Sequence, residues 1–351
     1  MPPQTSLFEQ TPVFTSGENG VTEYRIPSLV VSNTHILIAI CDARVDQRGD
    51  APNNIDVVMK RSFDLGKTWT PVRRIVVFPG QEAACDPCTL MDRETGAIWV
   101  FYDYAVPHDT LPRNRHMMFH AIRSDDDGET WSEPLDLTSK VVQPGWYYLA
   151  AAPGMGIQTR SGRLIAPTYS MRQEEPGQSH LLWSDDHGET WHLGAGVGEN
   201  NSECQVVELT DGALMINMRQ RGNGCRAVAV TSDGGETWSD AVDDQALVEP
   251  SCQASFIRYT DVRDGDAKNC LLFSNPADAA ERVSMTVRLS YDEGKTWPMS
   301  RVIHLGSSAY SCLTVLPDGT IGLLYEREGY NEIAFARFTL EWLTGGTDVL
   351  K

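Results

Sequence analysis

A chain of 351 residues with 29 Lys and Arg against 48 Asp and Glu carries a formal net charge of −19. That balance argues against nucleic acid and against a polybasic membrane contact, both of which need clustered cationic surface. A hydrophobic content of 41 % with nine tryptophans is enough for a large core and argues against global disorder.

In chain order, the opening MPPQTSLFEQTPVF lacks a charged segment followed by an apolar core. No signal peptide is therefore expected, a cytoplasmic location is the expectation with secretion as the alternative, and no apolar run reaches the length of a membrane span. Tyr24-Arg25-Ile26-Pro27 comes next, where Pro27 sets an extended start to the first strand. Short runs of β-branched, aromatic and aliphatic residues then recur at 36–41, 55–60, 97–104, 117–123, 163–169, 181–184, 213–218, 227–230, 270–274, 283–289, 320–325 and 333–338. Such runs between turn signals predict strands. Residues 340–343 alone suggest a helical turn.

Five copies of one phrase, Ser/Thr-x-Asp-x-Gly-x-Thr-Trp, punctuate those strands. They are SFDLGKTW at 62–69, SDDDGETW at 124–131, SDDHGETW at 184–191, TSDGGETW at 231–238 and SYDEGKTW at 290–297. The Asp can bond the turn backbone, the Gly permits positive φ, and the Trp packs beneath as an anchor. A strand-rich repeat of roughly 60 residues with about four strands each reads as a β-propeller. The expected fold is all-β, a six-bladed propeller of four-stranded antiparallel sheets in one domain over 1–351. The last blade would combine strands from both termini and so leave no edge bare.

Eight cysteines are scattered through apolar runs, and Cys85-Asp86-Pro87-Cys88 is the lone close pair. No second pair or histidine completes a metal site, so reduced thiols are expected. His116 and His120 would face one side of a strand with no third ligand and are read as structural. No metal and no cofactor is called for.

Three arginines stand out: Arg25 beside Pro27, Arg219 at the end of an apolar run, and Arg282 after FSNPADAA. Brought together they would form a fork-shaped cage for a carboxylate, which the overall negative field makes necessary for any anionic ligand. Taken singly, each would more often be an arginine making a surface salt bridge.

The YRIP phrase, the repeated boxes, and the segments LLFSNPADAAER, SYDEGKTWP and SSAYSCLTVLPDGTIGLLYE resemble the bacterial-type sialidases of glycoside hydrolase family 33, over residues 23–338. The resemblance implies a retaining exo-α-sialidase acting on sialylated glycans or glycoconjugates. It implies a triarginyl carboxylate clamp of Arg25, Arg219 and Arg282, with Glu326 holding the first arginine. Tyr310 would be the nucleophile, Glu203 the acid that accepts its proton, and Asp50 the general acid/base on a loop that also offers Asp42 and Asp46. Asp86 resembles the family's Asp-Pro segment near the N-acyl group, and Arg44 is a contact of the substrate or of its supporting shell. Tyr147 and Tyr148 could line the aglycone side or pack in the core.

A neutral phenol suits this chemistry. A sialoside carries a carboxylate on its anomeric carbon, so an attacking carboxylate would meet like charge. The phenol, with an ordinary pKa near about 10, needs a base beside it. Two other readings use the same residues: an enzyme for a deaminated nonulosonic acid, and a sialoglycan-binding propeller without catalysis. A propeller using an unrelated carboxylate pair is a residual, because no such pair is singled out by the sequence.

Overall fold

Among residues 6–348, which the computed structural model describes, strand follows strand with two short α-helices, Thr138–Val141 and Leu340–Thr344. The second is capped by Thr339, whose hydroxyl accepts from Trp342 N. The fold is thus nearly all-β, as the alternating runs imply. The strands form sheets of nine, five, four and seven members, and successive strands pair antiparallel in chain order for most of their length. The four-stranded sheet, for example, runs Asn201–Glu208, Leu214–Gln220, Cys225–Thr231, Val242–Val248.

The two ends of the chain meet. Strand Phe8–Thr15 pairs antiparallel with Glu332–Phe338, placing Phe8 opposite Phe338. It thereby completes the outer side of the sheet built by the last strands.

The repeated phrase forms the same turn five times. In the first copy Ser62 Oγ accepts from Gly66 N at 2.8 Å and donates to Asp64 Oδ1 at 2.8 Å. Asp64 then takes Thr68 N on Oδ1 and the Thr68 hydroxyl on Oδ2 at 2.9 and 2.6 Å. The equivalent bonds recur about Asp126, Asp186, Asp233 and Asp292. Each turn also docks on another part of the chain. A Cβ placed on Gly188 would lie 2.3 Å from Trp99, one on Gly128 3.3 Å from Ile38 and Met59, and one on Gly66 2.1 Å from Phe335. The first turn therefore rests on the last strand pair, a second tie between the chain's ends.

Strands that carry the candidate site residues are interrupted. Register breaks fall between Arg25 and Ser28, Cys85 and Cys88, Asn201 and Cys204, and Ser308 and Ser311. Ile26 and Asp86 sit in the left-handed region at φ 62 and 59, where non-glycine residues are rare and strained. A bulge bends the strand and re-aims one side chain, and the prolines at 27 and 87 fit such a position because the ladder there lacks a bond to lose. The extended start expected at Pro27 is thus a bulge within strand Glu23–Val31.

Candidate active site

The four bulges open on one cavity of about 460 Å³, lined among others by Arg25, Asp86, Glu203 and Tyr310. Arg219, Arg282 and Asp50 line it too. Residues spread over most of the chain are brought together at the N-terminal ends of these strands, Tyr310 at the start of the second half of the long strand Met299–Val315.

At its centre the Tyr310 hydroxyl donates to Glu203 Oε1 at 2.5 Å. Arg219 Nη1 donates to Glu203 Oε2 at 2.6 Å and to the Tyr310 oxygen at 2.9 Å, bridging the pair. Tyr310 is 6 % exposed. Burial and the Glu203 carboxylate push its phenol well above the ordinary value, against the pull of Arg219 and Arg282. Burial works against the Glu203 carboxylate, yet Arg219, the Tyr310 hydroxyl and Arg282 hold it below the usual range. The pair therefore rests as neutral phenol and carboxylate, with the proton already aimed at its acceptor.

The other two arginines flank the same ring. Arg25 and Arg282 place their guanidinium carbons 5.4 and 5.6 Å from the Tyr310 ring centre. Glu326, fully buried, accepts from Arg25 Nε at 2.6 Å and Ile26 N at 2.7 Å on one oxygen, and from Tyr310 N at 3.0 Å on the other. One carboxylate thus fixes both a cavity arginine and the backbone of the phenol. Arg282 donates to Ser251 O at 3.1 Å and to the Tyr330 hydroxyl at 3.3 Å. Tyr330 also stacks 4.0 Å from Arg25, joining two of the guanidiniums.

Asp50 reaches the cavity from a loop with its side chain 64 % exposed, held by Arg44 Nη2 at 2.9 Å. Partial burial raises this carboxyl, but Arg44, Arg115, Arg25 and Arg113 outweigh it and leave the pKa below the ordinary value. The two neighbouring acids do not border the cavity. Asp42 is fully buried and accepts from Asp86 N, and Asp46 bonds Asn54 and Gln81. Arg44 lies behind Asp50, 3 % exposed, contacting Glu23 and Asp42 as well. It supports the acid and does not line the cavity. Asp86 lines it, and burial with the charges of Asp50 and Glu203 raises its carboxyl to about 6.

The sequence reading missed Arg113, Arg115, Tyr169, Arg221 and Tyr330. The first four line the cavity, and all five lie in turns or amid apolar strands where no spacing marks them. Tyr148 is a buried core residue, its hydroxyl unpartnered, and neither it nor Tyr147 lines the cavity. The eight cysteines are buried free thiols. A larger cavity of about 630 Å³ opens at the opposite ends of the same strands. There Arg258 is matched by Glu293 and Arg263 by Asp261 and Glu208.

Turns of the Asp-box type on an almost all-strand scaffold, around a carboxylate-bonded phenol ringed by arginines, define a propeller-type protein equipped to hold an organic acid. Residues 26–323 match the family model of the BNR repeat-like domain. A sialidase of Micromonospora viridifaciens is 38 % identical over 359 residues, spanning 97 % of this chain and 55 % of its own. One from Bacteroides fragilis is 33 % identical over 332 residues, spanning 89 % and 61 %. Among solved structures, a Hadza microbial sialidase superposes with a TM-score of 0.88 at 35 % identity, covering 95 % of this chain and 69 % of that one. The chain belongs to the sialidase family. It spans 55 to 61 % of the length of the two relatives.

Proposed function

We propose that this chain is a retaining exo-α-sialidase that releases terminal sialic acids from glycoconjugates through a covalent sialyl-tyrosine intermediate. We read its scaffold as one domain of six four-stranded blades, the last completed by Phe8–Thr15. The support is the closure of the chain's ends and the docking of the first Asp-box turn on Phe335.

The substrate carboxylate is taken by Arg25, Arg219 and Arg282, which offer permanently charged, planar donors on one cavity. This sets the anomeric carbon beside Tyr310 Oη. Attack by that oxygen forms the C–O bond to tyrosine while its proton passes to Glu203 across 2.5 Å. The bond to the leaving oxygen breaks as Asp50 donates its proton there. In the second half Asp50 takes a proton from water, the resulting hydroxide attacks the anomeric carbon, and Tyr310 leaves and recovers its proton from Glu203. Two displacements at one carbon give net retention; a tyrosine nucleophile is the sialidase departure from the two-carboxylate pattern.

The observation that carries this reading is the Tyr310–Glu203 bond bridged by Arg219. A propeller that merely bound sialoglycans would have no use for a proton acceptor at hydrogen-bond distance from the phenol. The test is incubation of the purified protein with a 4-methylumbelliferyl α-sialoside, following the first released anomer by proton NMR. Release of the α anomer is expected. No turnover, or first release of the β anomer, would refute the proposal.

A further inference from the structure

Six guanidiniums line the catalytic cavity, those of Arg25, Arg113, Arg115, Arg219, Arg221 and Arg282, against three carboxylates, Asp50, Asp86 and Glu203. Four of the six are engaged. Arg25 pairs with Glu326, Arg219 with Glu203, Arg282 donates to Ser251 O and Tyr330, and Arg115 donates to Ala51 O at 3.0 Å. Arg113 and Arg221 are exposed and have no hydrogen bond or ion pair among the described residues. In a chain of net charge −19, two cations left unmatched on one cavity need an explanation.

Both are launched from fixed backbone. Arg113 lies in the left-handed region at φ 57 and ψ 21, and its turn is closed by His108 N to Asn114 O at 2.9 Å and Asn114 N to Leu111 O at 3.0 Å. A non-glycine residue held there is strained, and such strain gathers where a side chain must be aimed. Arg221 follows Gln220, whose N donates to Glu249 at 2.7 Å and whose carbonyl accepts from Ser251 at 3.0 Å. The two share one cavity of about 460 Å³ with Asp50 and Tyr310. Two residues on from Arg113, Arg115 donates to the carbonyl of Ala51, next to Asp50, at 3.0 Å, so the Arg113 turn lies on the side of the cavity where the leaving group would sit.

We propose that Arg113 and Arg221 form a second anion-binding locus at the cavity mouth, which takes a carboxylate or sulfate on the aglycone of the sialoside. This rests on the reading of Asp50 as the acid beside the leaving oxygen. One sialic acid carboxylate occupies the clamp and leaves the mouth uncompensated, whereas a second anion on the aglycone fills it. Partly exposed pairs of this kind are each worth roughly 2- to 5-fold in affinity.

The test is calorimetric titration of Tyr310→Phe protein, chosen to slow turnover, with three ligands. They are sialyllactose, a disialoside whose aglycone is a second sialic acid, and sialyllactose sulfated on galactose. At least one doubly charged ligand should bind about 5- to 20-fold more tightly than sialyllactose. Which one gains tells carboxylate from sulfate. The advantage should vanish in the Arg113→Gln, Arg221→Gln double variant, return in part with lysine at both positions, and shrink in high salt. Equal binding of all three, or an advantage that survives the double variant, overturns the locus. Preferential binding by a wild-type protein that hydrolyses no sialoside would instead overturn the sialidase reading and leave the locus standing.

Discussion

Tyr310 and Glu203, 107 residues apart in the chain, are joined by a 2.5 Å hydrogen bond in which the phenol is the donor. Neither group is suited alone. The phenol is pushed up by burial and by its neighbour, so it is neutral and a weak nucleophile; the carboxylate, buried but held down by Arg219, is ready to accept. The bulges at 201–204 and 308–311 bring them face to face.

The proposed mechanism has the two serve one step, so Tyr310→Phe and Glu203→Gln are each expected to lower kcat/KM by about 10²–10⁴-fold. The double variant should lose little more than the worse single one, as expected of groups that serve one step. Steady-state kinetics on the four proteins checks this. Multiplying losses would show that the two act independently.

The Asp50 carboxyl is held below its ordinary pKa by Arg44, Arg115, Arg25 and Arg113 against the effect of burial. In the proposed mechanism Asp50 must be protonated to expel a poor leaving group, so activity should fall as pH rises through its pKa. Removing a cation that depresses that pKa raises it. Arg44→Gln should therefore move the alkaline limb of the kcat/KM profile on sialyllactose to higher pH. An unmoved or lowered limb would show that Asp50 is not the titrating acid.

Glu326 is fully buried and neutralises Arg25 while anchoring Ile26 N and Tyr310 N. Glu326→Ala leaves an unpaired buried charge and two buried donors, and should cost about 3–5 kcal/mol in urea unfolding. A loss below about 1 kcal/mol, the scale of an exposed pair, would contradict this role.

The middle strands of the sheets and the turns were legible because their apolar runs and the Asp-box phrase state their own structure. Leu37–Arg44, Ile98–Pro107 and Ile321–Arg327 lie within a few residues of the expected runs. Ala83–Met91 and Asn201–Glu208 escaped notice because bulges, Pro87 and charged side chains break their alternation. Arg25, Arg219 and Arg282 stood out by their context and Asp50, Glu203 and Tyr310 through family phrases, and the structure brings all six to one cavity. Arg113 and Arg221 were not, since turn residues carry no periodic signal and only the folded chain shows what faces them.

Gly66, at φ 85, sits where an added Cβ would lie 2.1 Å from the Phe335 ring. Gly66→Ala should destabilise the protein by about 2–4 kcal/mol through backbone strain and overpacking together. Thermal or urea unfolding reads this directly. A near-neutral result would mean that the first turn does not bear on the last strands as described.

The most direct measurement is mass spectrometry of the wild-type protein quenched during reaction with a 3-fluorosialosyl fluoride, a substrate whose ring fluorine slows loss of the sugar from the enzyme. The account predicts one fluorosialyl adduct, on Tyr310, and none on the Tyr310→Phe protein. An adduct on Asp50 or Glu203, or steady turnover of the reagent with no adduct, would contradict it.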